Sequence, residues 1–149
     1  MQLKFYKIRK VAKLPVRTYA SDAGMDMFYC PKGTEKAFSF PPGNSRLVPT
    51  GLKVEIPEGF MLEIKNKSGI ASKKQLLVGA CVIDPGYDGE IFINLHNVGH
   101  ETRIIAPGEK VAQAVLIPIV HCGIEEVFED NLNSLSPRAS GGFGSTGKW

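Results

Sequence analysis

Residues 46–65 read RLVPTGLKVEIPEGFMLEIK and carry the pattern that decides the fold. Apolar and polar residues alternate over 46–56, stop at Pro57, Glu58 and Gly59, and resume over 60–65. A period of two residues places successive side chains on opposite faces of a strand, and Pro and Gly are typical of the turns between strands. This stretch therefore predicts a pair of strands joined by a tight turn.

Further strands are predicted on both sides of this pair. Residues 3–8, 89–97 and 110–120 are rich in apolar and β-branched residues, and the last is nearly all apolar, as is typical of a central strand. Only 68–77 contains enough helix-forming residues for a short helix. Because turn residues recur between these segments, we expect an all-β sandwich or barrel with one short helix.

Composition restricts the class of protein. The chain has 149 residues, the length of one domain, and its 43% hydrophobic and 22% charged residues argue against disorder. A net charge of +3 is too small to indicate a nucleic-acid or membrane partner, and we expect neither. Cys30, Cys81 and Cys122 form no C-x-x-C motif, which favours reduced thiols and a cytoplasmic location, in the host cytoplasm if the source is viral.

The periodicity ends after residue 128. The remaining residues, EDNLNSLSPRASGGFGSTGKW, are polar and rich in Gly and Ser, so they cannot supply a core face. We therefore predict a β domain over 1–128 and a flexible tail over 129–149. The tail contains a cation, an aromatic ring, and hydroxyls beside glycine: Arg138, Phe143, Gly144, Ser145 and Thr146. Such a strip is suited to closing over a phosphorylated aromatic ligand.

Two segments in the first half of the chain contain candidate binding residues. Residues 21–27 place Asp26 after a turn, and 65–74 place Ser68 and Gly69 among lysines, at the start of the predicted helix. A helix start with free N–H groups and nearby cations can bind an anion. A simple turn and an N-cap on a basic surface helix remain alternative interpretations.

Two segments in the second half add candidate catalytic and binding groups. Residues 79–90 bring an apolar strand to Asp84 and a Pro-Gly turn, with Tyr87 three residues later. A carboxylate held at a strand end by a rigid turn is a candidate general base, although an ordinary hairpin would look similar. Gln113 is an amide in an apolar run, so it must find hydrogen-bond partners in the backbone or in a ligand.

Taken in this order and with the tail, the segments resemble the five motifs of the trimeric dUTPases. The resemblance runs from about Pro15 to Lys148, and the matching residues are Ala23-Gly24-x-Asp26, Lys67-Ser68-Gly69-Ile70-Ala71, Val82-Ile83-Asp84-x-x-Tyr87-x-Gly89, Gly108-x-x-x-Ala112-Gln113 and Gly141-Gly142-Phe143-Gly144-Ser145-Thr146-Gly147. It implies a jelly-roll (distorted β-barrel) protomer in a homotrimer with shared active sites. It also implies hydrolysis of dUTP to dUMP and pyrophosphate with Mg²⁺, which limits uracil in DNA and supplies dUMP.

The resemblance further implies roles for the third motif. Asp84 would orient and deprotonate the water that attacks the α-phosphorus. Tyr87 would pack against the deoxyribose and exclude a ribose 2′-hydroxyl. The uracil pocket would be lined by Phe92 and by the main chain of Cys81, Val82 and Ile83.

The other motifs would bind the phosphates. Lys67, Ser68 and Gly69 of a neighbouring subunit would hold them, with help from Gln113. The tail of a third subunit would close over the nucleotide, with Arg138 on the γ-phosphate, Phe143 stacked on uracil, and Gly144, Ser145 and Thr146 donating to phosphate. Asp26 would lie on the metal or phosphate side, and the triphosphate would otherwise hold the metal.

Three positions depart from the family pattern. Lys67 stands where the second motif usually has arginine, and a lysine supplies charge without the planar fork of a guanidinium. Cys81 replaces a usual glycine, and Gly86 replaces a more usual acidic residue before the tyrosine. We expect the activity to survive these changes with altered affinity.

Three alternative functions compete with dUTP hydrolysis. The dCTP deaminases share the fold but need a glutamate on the strand after the third motif, where this chain has Asn94. A non-catalytic trimeric binder would be expected to have lost Asp84 or the tail, and this chain retains both. The lysines of 65–74 could contact nucleic acid, but the segment lacks the aromatic residues that stack on bases.

Overall fold

The computed structural model describes residues 1–34 and 36–132, in which regular structure is almost entirely β. The strands are β1 (Lys4–Lys7), β2 (Met25–Phe28), β3 (Phe38–Phe40), β4 (Ser45–Pro49), β5 (Leu52–Glu55), β6 (Phe60–Lys65), β7 (Leu76–Val78), β8 (Val82–Ile83), β9 (Phe92–Asn97), β10 (Arg103–Ile105) and β11 (Lys110–Pro118). Helical structure in these ranges is restricted to one short segment, α-helical at Ser68 and Gly69 and π-helical over Ile70–Lys74, and to a 3₁₀ turn over Glu129–Asn131. None of the described helical segments has the length and hydrophobicity needed to cross a membrane. The prediction of an all-β fold is confirmed.

The strands pair in antiparallel fashion around one hydrophobic core. The described strands form the sheets β2-β11-β6-β8, β4-β9-β7, β1-β5 and β3-β10. Strand β11 lies between β2 and β6, which confirms the central position predicted from its apolar sequence. Met27, Leu62 and Leu95 are fully buried, so both larger sheets contribute to the same core.

The stretch over 46–56 is not one strand, because the chain turns at Gly51. Strand β4 pairs with β9, whereas β5 leaves that sheet to pair with β1. Gly51 has a φ of +71°, and a Cβ atom at this position would lie 2.9 Å from both the Ala12 Cβ and the Cys30 Sγ. Glycine satisfies both the backbone conformation and the close approach. Strands β5 and β6 flank the turn at Pro57 and Gly59, but they lie in different sheets, since β5 pairs with β1 whereas β6 pairs with β11 and β8.

The predicted helix over 68–77 is also shorter in the structure. Its π-helical turn ends at Lys74, and Gln75 adopts a left-handed conformation with φ of 54°. Leu76 then enters β7, where it pairs with Asn97 and is 1% exposed. Burial of this leucine against β9 outweighs the helix propensity of its neighbours, because tertiary packing overrides a weak local preference.

The register of the four-stranded sheet aligns three of the predicted segments. Gln113 on β11 stands opposite Asp26 on β2 and opposite Lys65 on β6. On the other side of β6, Leu62 pairs with Ile83 of β8, and Asp84 follows as the next residue. Sheet topology therefore brings together residues that lie far apart in the chain.

The chain leaves the body of the domain after β11. Residues 120–132 are all exposed in the protomer, including apolar side chains such as Ile124, which is 100% exposed, and Phe128, which is 84% exposed. A water-soluble chain seldom leaves so many apolar side chains uncovered in one segment. The division into domains at residue 128 stays a prediction.

Candidate active site

A cavity of about 290 Å³ opens beside β8. Six of the residues predicted for the base, sugar and catalytic positions line it together: Cys81, Val82, Ile83, Asp84, Tyr87 and Phe92. Its volume is close to the lower end of the range found for small-molecule sites. The third motif therefore forms one concave site within a single protomer.

The backbone of β8 is available to a ligand on one side. This strand lies at the edge of its sheet, where it pairs with β6 through Leu62 and Glu63. Its other side has no strand partner in the described part of the chain, so outward N–H and C=O groups can bind a flat polar molecule. An edge strand beside an apolar pocket suits a planar base whose rim carries donors and acceptors.

Asp84 and Tyr87 lie on a tight turn at the end of β8. The Tyr87 N–H donates to the Asp84 carbonyl at 3.3 Å, and the Asp84 side chain is exposed at the mouth of the cavity. The Tyr87 hydroxyl donates to the Glu90 carbonyl at 2.9 Å. These contacts hold a carboxylate and an aromatic ring close together in the lining of the cavity.

The side chain of Phe92 also lines the cavity that contains Asp84. Lys32 holds its ammonium group 4.5 Å from the centre of this ring, a cation–π contact that orients the side chain. This contact connects the segment after β2 with the pocket.

A second polar cluster surrounds Asp26 on β2. The Asp26 carboxylate is buried, with Lys67 Nζ 2.7 Å from Oδ1 and Lys110 Nζ 2.6 Å from Oδ2. The Lys67 contact is a hydrogen bond, whereas the Lys110 contact is an ion pair without hydrogen-bond geometry. Burial alone would raise the pKa of Asp26, but the two ammonium groups outweigh it and hold that pKa below its ordinary value of 3.8.

Gln113 connects the Asp26 cluster to the segment after β6. Its amide nitrogen donates to the Asn66 carbonyl at 2.9 Å. Its amide oxygen lies against Gly24, where a Cβ atom would be only 2.0 Å away. Gln113 thus satisfies the expectation that an amide in an apolar strand finds a backbone partner. The first, second and fourth motifs therefore meet at one cluster.

Ser68 and Gly69 lie at the surface beside this cluster. Both are exposed, and the Lys67 carbonyl accepts the N–H groups of Ile70 and Ala71 at 3.0 and 2.9 Å. These contacts fold the chain into the short turn that follows β6. Ser68 and Gly69 therefore accompany Lys67, away from the cavity beside β8.

Asp84 and Lys67 lie near opposite ends of β6 in one protomer. Asp84 follows the pair Leu62–Ile83, near the start of β6, whereas Lys67 lies two residues after the end of that strand. Four residue steps from Met61 to Lys65 span about 14 Å in an antiparallel strand. The structure therefore does not bring Asp84 and Lys67 into contact within a single chain.

Comparison with known proteins decides the family. The family model described as dUTPase matches residues 10–147. The chain belongs to the dUTPase family. The deoxyuridine 5′-triphosphate nucleotidohydrolase of Clostridium tetani is 42% identical over 148 residues, covering 98% of this chain and 97% of the relative. That of Gloeothece citriformis is 39% identical over 149 residues, covering 99% and 97%.

Solved structures of dUTPases have the same fold. A mutant dUTPase of Staphylococcus bacteriophage 80alpha with dUpNHpp superposes with a TM-score of 0.87 at 26% identity, covering 99% of both chains. A mutant dUTPase of phage phi11 of S. aureus, studied for the coordination of a structural Mg(II) ion, has a TM-score of 0.77 at 26% identity and covers 87% of this chain and 99% of that chain. The family and the fold expected from the motifs are confirmed.

Some residues of both clusters were not predicted from the sequence. Leu47, Ile64, Ala80 and Ile91 also line the cavity, and Lys110 and Asn66 provide contacts in the Asp26 cluster. Lys110 lies within the fourth motif, so its charge beside Gln113 was a usable signal. The four apolar residues look like ordinary core positions in the sequence. Arg138, Phe143, Gly144, Ser145 and Thr146 lie outside the described residues.

Proposed function

We propose that this member of the dUTPase family hydrolyses dUTP to dUMP and pyrophosphate by attack of water on the α-phosphorus. The observation that carries the proposal is the cavity beside β8, where an apolar wall, a strand edge, the Asp84 carboxylate and the Tyr87 ring meet. The family match over 10–147 supports the same reaction. Hydrolysis lowers the supply of dUTP for incorporation into DNA and provides dUMP for thymidylate synthesis.

The base would bind against the edge of β8. Outward backbone groups of Cys81, Val82 and Ile83 can pair with the polar rim of uracil, while Phe92 contacts its apolar face. Thymine would be excluded where the wall of this pocket meets the edge of the base that carries the additional methyl group. Discrimination would therefore depend on both hydrogen bonding and shape.

Asp84 is the proposed catalytic base, and Tyr87 the proposed sugar-binding residue. An exposed carboxylate at the mouth of the cavity can accept a proton from water and orient its oxygen towards the α-phosphorus. The Tyr87 ring, fixed three residues away, would pack on the deoxyribose and leave no space for a 2′-hydroxyl. Positioning of these groups supplies most of what phosphoryl chemistry needs from a protein.

A homotrimer would complete the site. Lys67, Ser68 and Gly69 lie too far from Asp84 within one chain to hold the phosphates of a nucleotide bound there, so a neighbouring subunit would supply them together with Gln113. The exposed apolar side chains of residues 120–132 support association with further copies. The tail of a third subunit would then close the site through Arg138 and Phe143, with Gly144, Ser145 and Thr146 donating to phosphate.

We infer that Mg²⁺ assists the reaction. No group of three or more His, Cys, Asp or Glu side chains in the described part of the chain could hold a metal ion, so the triphosphate would supply most ligands, as is usual for Mg²⁺. When bound, the ion neutralises phosphate charge. Asp26 is already paired with two ammonium groups, which supports an indirect role in which it holds Lys67 in position.

The side chain of Asn94 argues against deamination. Its amide oxygen accepts from the Ala80 N–H at 3.0 Å, and its amide nitrogen donates to Ser45 at 2.9 Å. A carboxamide held in this way cannot carry the proton that a deaminase glutamate transfers. Hydrolysis is therefore the favoured reaction for this pocket.

A four-nucleotide assay tests the proposal. Purified protein is incubated with Mg²⁺ and each of dUTP, dTTP, dCTP and UTP, and pyrophosphate release is followed with and without EDTA. We expect release from dUTP alone and its loss in EDTA. Absence of release from all four nucleotides would contradict the proposal, and release of ammonia from dCTP would favour deamination instead.

A further inference from the structure

Arg9 and Glu90 form an ion pair at the end of the loop that carries Asp84 and Tyr87. Arg9 Nη1 lies 3.2 Å from Glu90 Oε2, and Nη2 contacts Oε1, so the guanidinium and the carboxylate meet through two contacts. The two side chains are only 20% and 11% exposed. Such a two-point contact between a guanidinium and a carboxylate is more directional than a single contact between a lysine and a carboxylate.

The same ion pair is tied to two other parts of the chain. The Gly51 N–H donates to Glu90 Oε1 at 2.8 Å, and Arg9 Nη2 donates to the Cys30 carbonyl at 3.1 Å. Burial alone would raise the pKa of Glu90, but the contact with Arg9 and the Gly51 N–H hold it below its ordinary value. Glu90 is therefore an ionised and well-anchored residue next to a loop that is otherwise exposed.

Tyr87 depends on this anchor for its orientation. Its side chain is 47% exposed, so packing alone does not hold it, and its hydroxyl donates to the Glu90 carbonyl at 2.9 Å. The ring lies against Gly89, where a Cβ atom would be 2.2 Å from the hydroxyl oxygen. The backbone of residues 89 and 90 is thus the platform on which the phenol ring rests.

We propose that Glu90, held by Arg9, is a positioning residue for Tyr87 and sets part of the discrimination between deoxyribose and ribose. The inference rests on the proposed function, in which Tyr87 packs against the deoxyribose. Anchoring the Glu90 side chain fixes its own carbonyl, which in turn directs the Tyr87 hydroxyl. A shift of this carbonyl would tilt the ring and open space for a 2′-hydroxyl.

The test compares kcat/KM for dUTP with kcat/KM for UTP. Glu90→Gln keeps the size of the side chain and removes the charge that Arg9 binds. We expect the dUTP-to-UTP ratio to fall roughly 3- to 10-fold, the effect of losing about one hydrogen bond. Tyr87→Phe removes the hydroxyl that donates to the carbonyl of residue 90, so the position of that carbonyl no longer affects the ring through this bond. The double variant is therefore expected to show the ratio of Tyr87→Phe alone.

Two further variants separate positioning from general destabilisation. Asn97→Ala removes a buried amide that donates to the Phe40 and Glu101 carbonyls at the other end of β9. It lowers stability but leaves the ratio unchanged, because a smaller active fraction affects both substrates equally. Arg9→Lys keeps the positive charge but loses the two-point contact with Glu90. It should therefore also lower the dUTP-to-UTP ratio, and it provides this test even where Glu90→Gln fails to fold.

The outcomes distinguish this inference from the proposed function. A wild-type protein that releases no pyrophosphate from dUTP would overturn both. A wild-type protein that prefers dUTP to UTP, with unchanged ratios in Glu90→Gln and Arg9→Lys, would overturn only the positioning role. Additive losses in the double variant would likewise show that Glu90 does not act through the Tyr87 hydroxyl.

Discussion

The buried carboxylate of Asp26 connects the stability of the fold to the cluster proposed to bind phosphate, and Asp26→Asn tests that connection. The carboxylate is 5% exposed and lies 2.7 Å from Lys67 Nζ and 2.6 Å from Lys110 Nζ. Asparagine has nearly the same shape but no charge. Both ammonium groups would lose their counter-ion, and one would face an amide group that can only donate.

The expected loss follows from the burial of the three groups. Removing one partner of a fully buried ion pair costs about 3–5 kcal/mol, whereas exposed pairs contribute about 0–1 kcal/mol. The Lys67 and Lys110 side chains are 32% and 41% exposed, so the appropriate value lies between these limits, at about 2 kcal/mol. For a chain of this length, that loss lowers the Tm by about 4–8 °C.

The effect should depend on pH in a defined direction. Because the pKa of Asp26 is lowered in the folded state, its contribution is complete above the unfolded pKa and is lost as pH falls through the folded pKa. We therefore expect a constant difference in Tm between wild type and Asp26→Asn from neutral pH down to about pH 4. Below that the difference should shrink, as the wild-type carboxylate is protonated.

Thermal unfolding followed by circular dichroism, at one fixed protomer concentration, measures this difference. Glu55→Gln is the matched control, because the Lys4–Glu55 pair is 71% and 69% exposed and should contribute little. A Tm for Asp26→Asn within about 1 °C of wild type at neutral pH would refute the reasoning. A difference that grows on acidification would also refute it.

The remaining predictions concern turnover. Asp84→Asn should retain the fold and assembly but lose several orders of magnitude in kcat for dUTP, and near-wild-type turnover in the pyrophosphate assay would rule out Asp84 as the base. Gly89→Ala would place a Cβ atom 2.4 Å from Tyr87 Cζ and displace the exposed ring, so KM for dUTP should rise with little change in Tm. Removal of residues 137–149 should leave assembly intact by size-exclusion chromatography and strongly impair hydrolysis. Normal turnover by the truncated protein would exclude a closing role for the tail.

Local patterns predicted the strands well where one face of the strand is buried. The alternation over 60–65 and the apolar run over 110–120 correspond to β6 and β11, because each pattern directly reflects which side chains meet the core. The sequence was less informative at Gly51, where a turn divides the strand, and at Leu76, which joins β7 instead of a helix. In both cases a distant partner strand determined the backbone conformation.

The nearness of Asp84 and Tyr87 in the candidate site was predictable from the chain, because it follows from their spacing. Asp84 and Tyr87 follow each other on one short loop, and their relation is determined by the local turn. Family membership follows from the order of the motifs in the same way.

Only the tertiary structure decided which groups neutralise one another. The pairing of Asp26 with Lys67 and Lys110, and the anchoring of the Tyr87 loop by Arg9 through Glu90, join residues from strands and loops that are distant in sequence. Such contacts depend on sheet register, and a shift of one residue would turn each side chain to the other face. Charge and hydrogen bonding act over a few ångströms in space, so their partners are set by the folded arrangement of the strands and not by order along the chain.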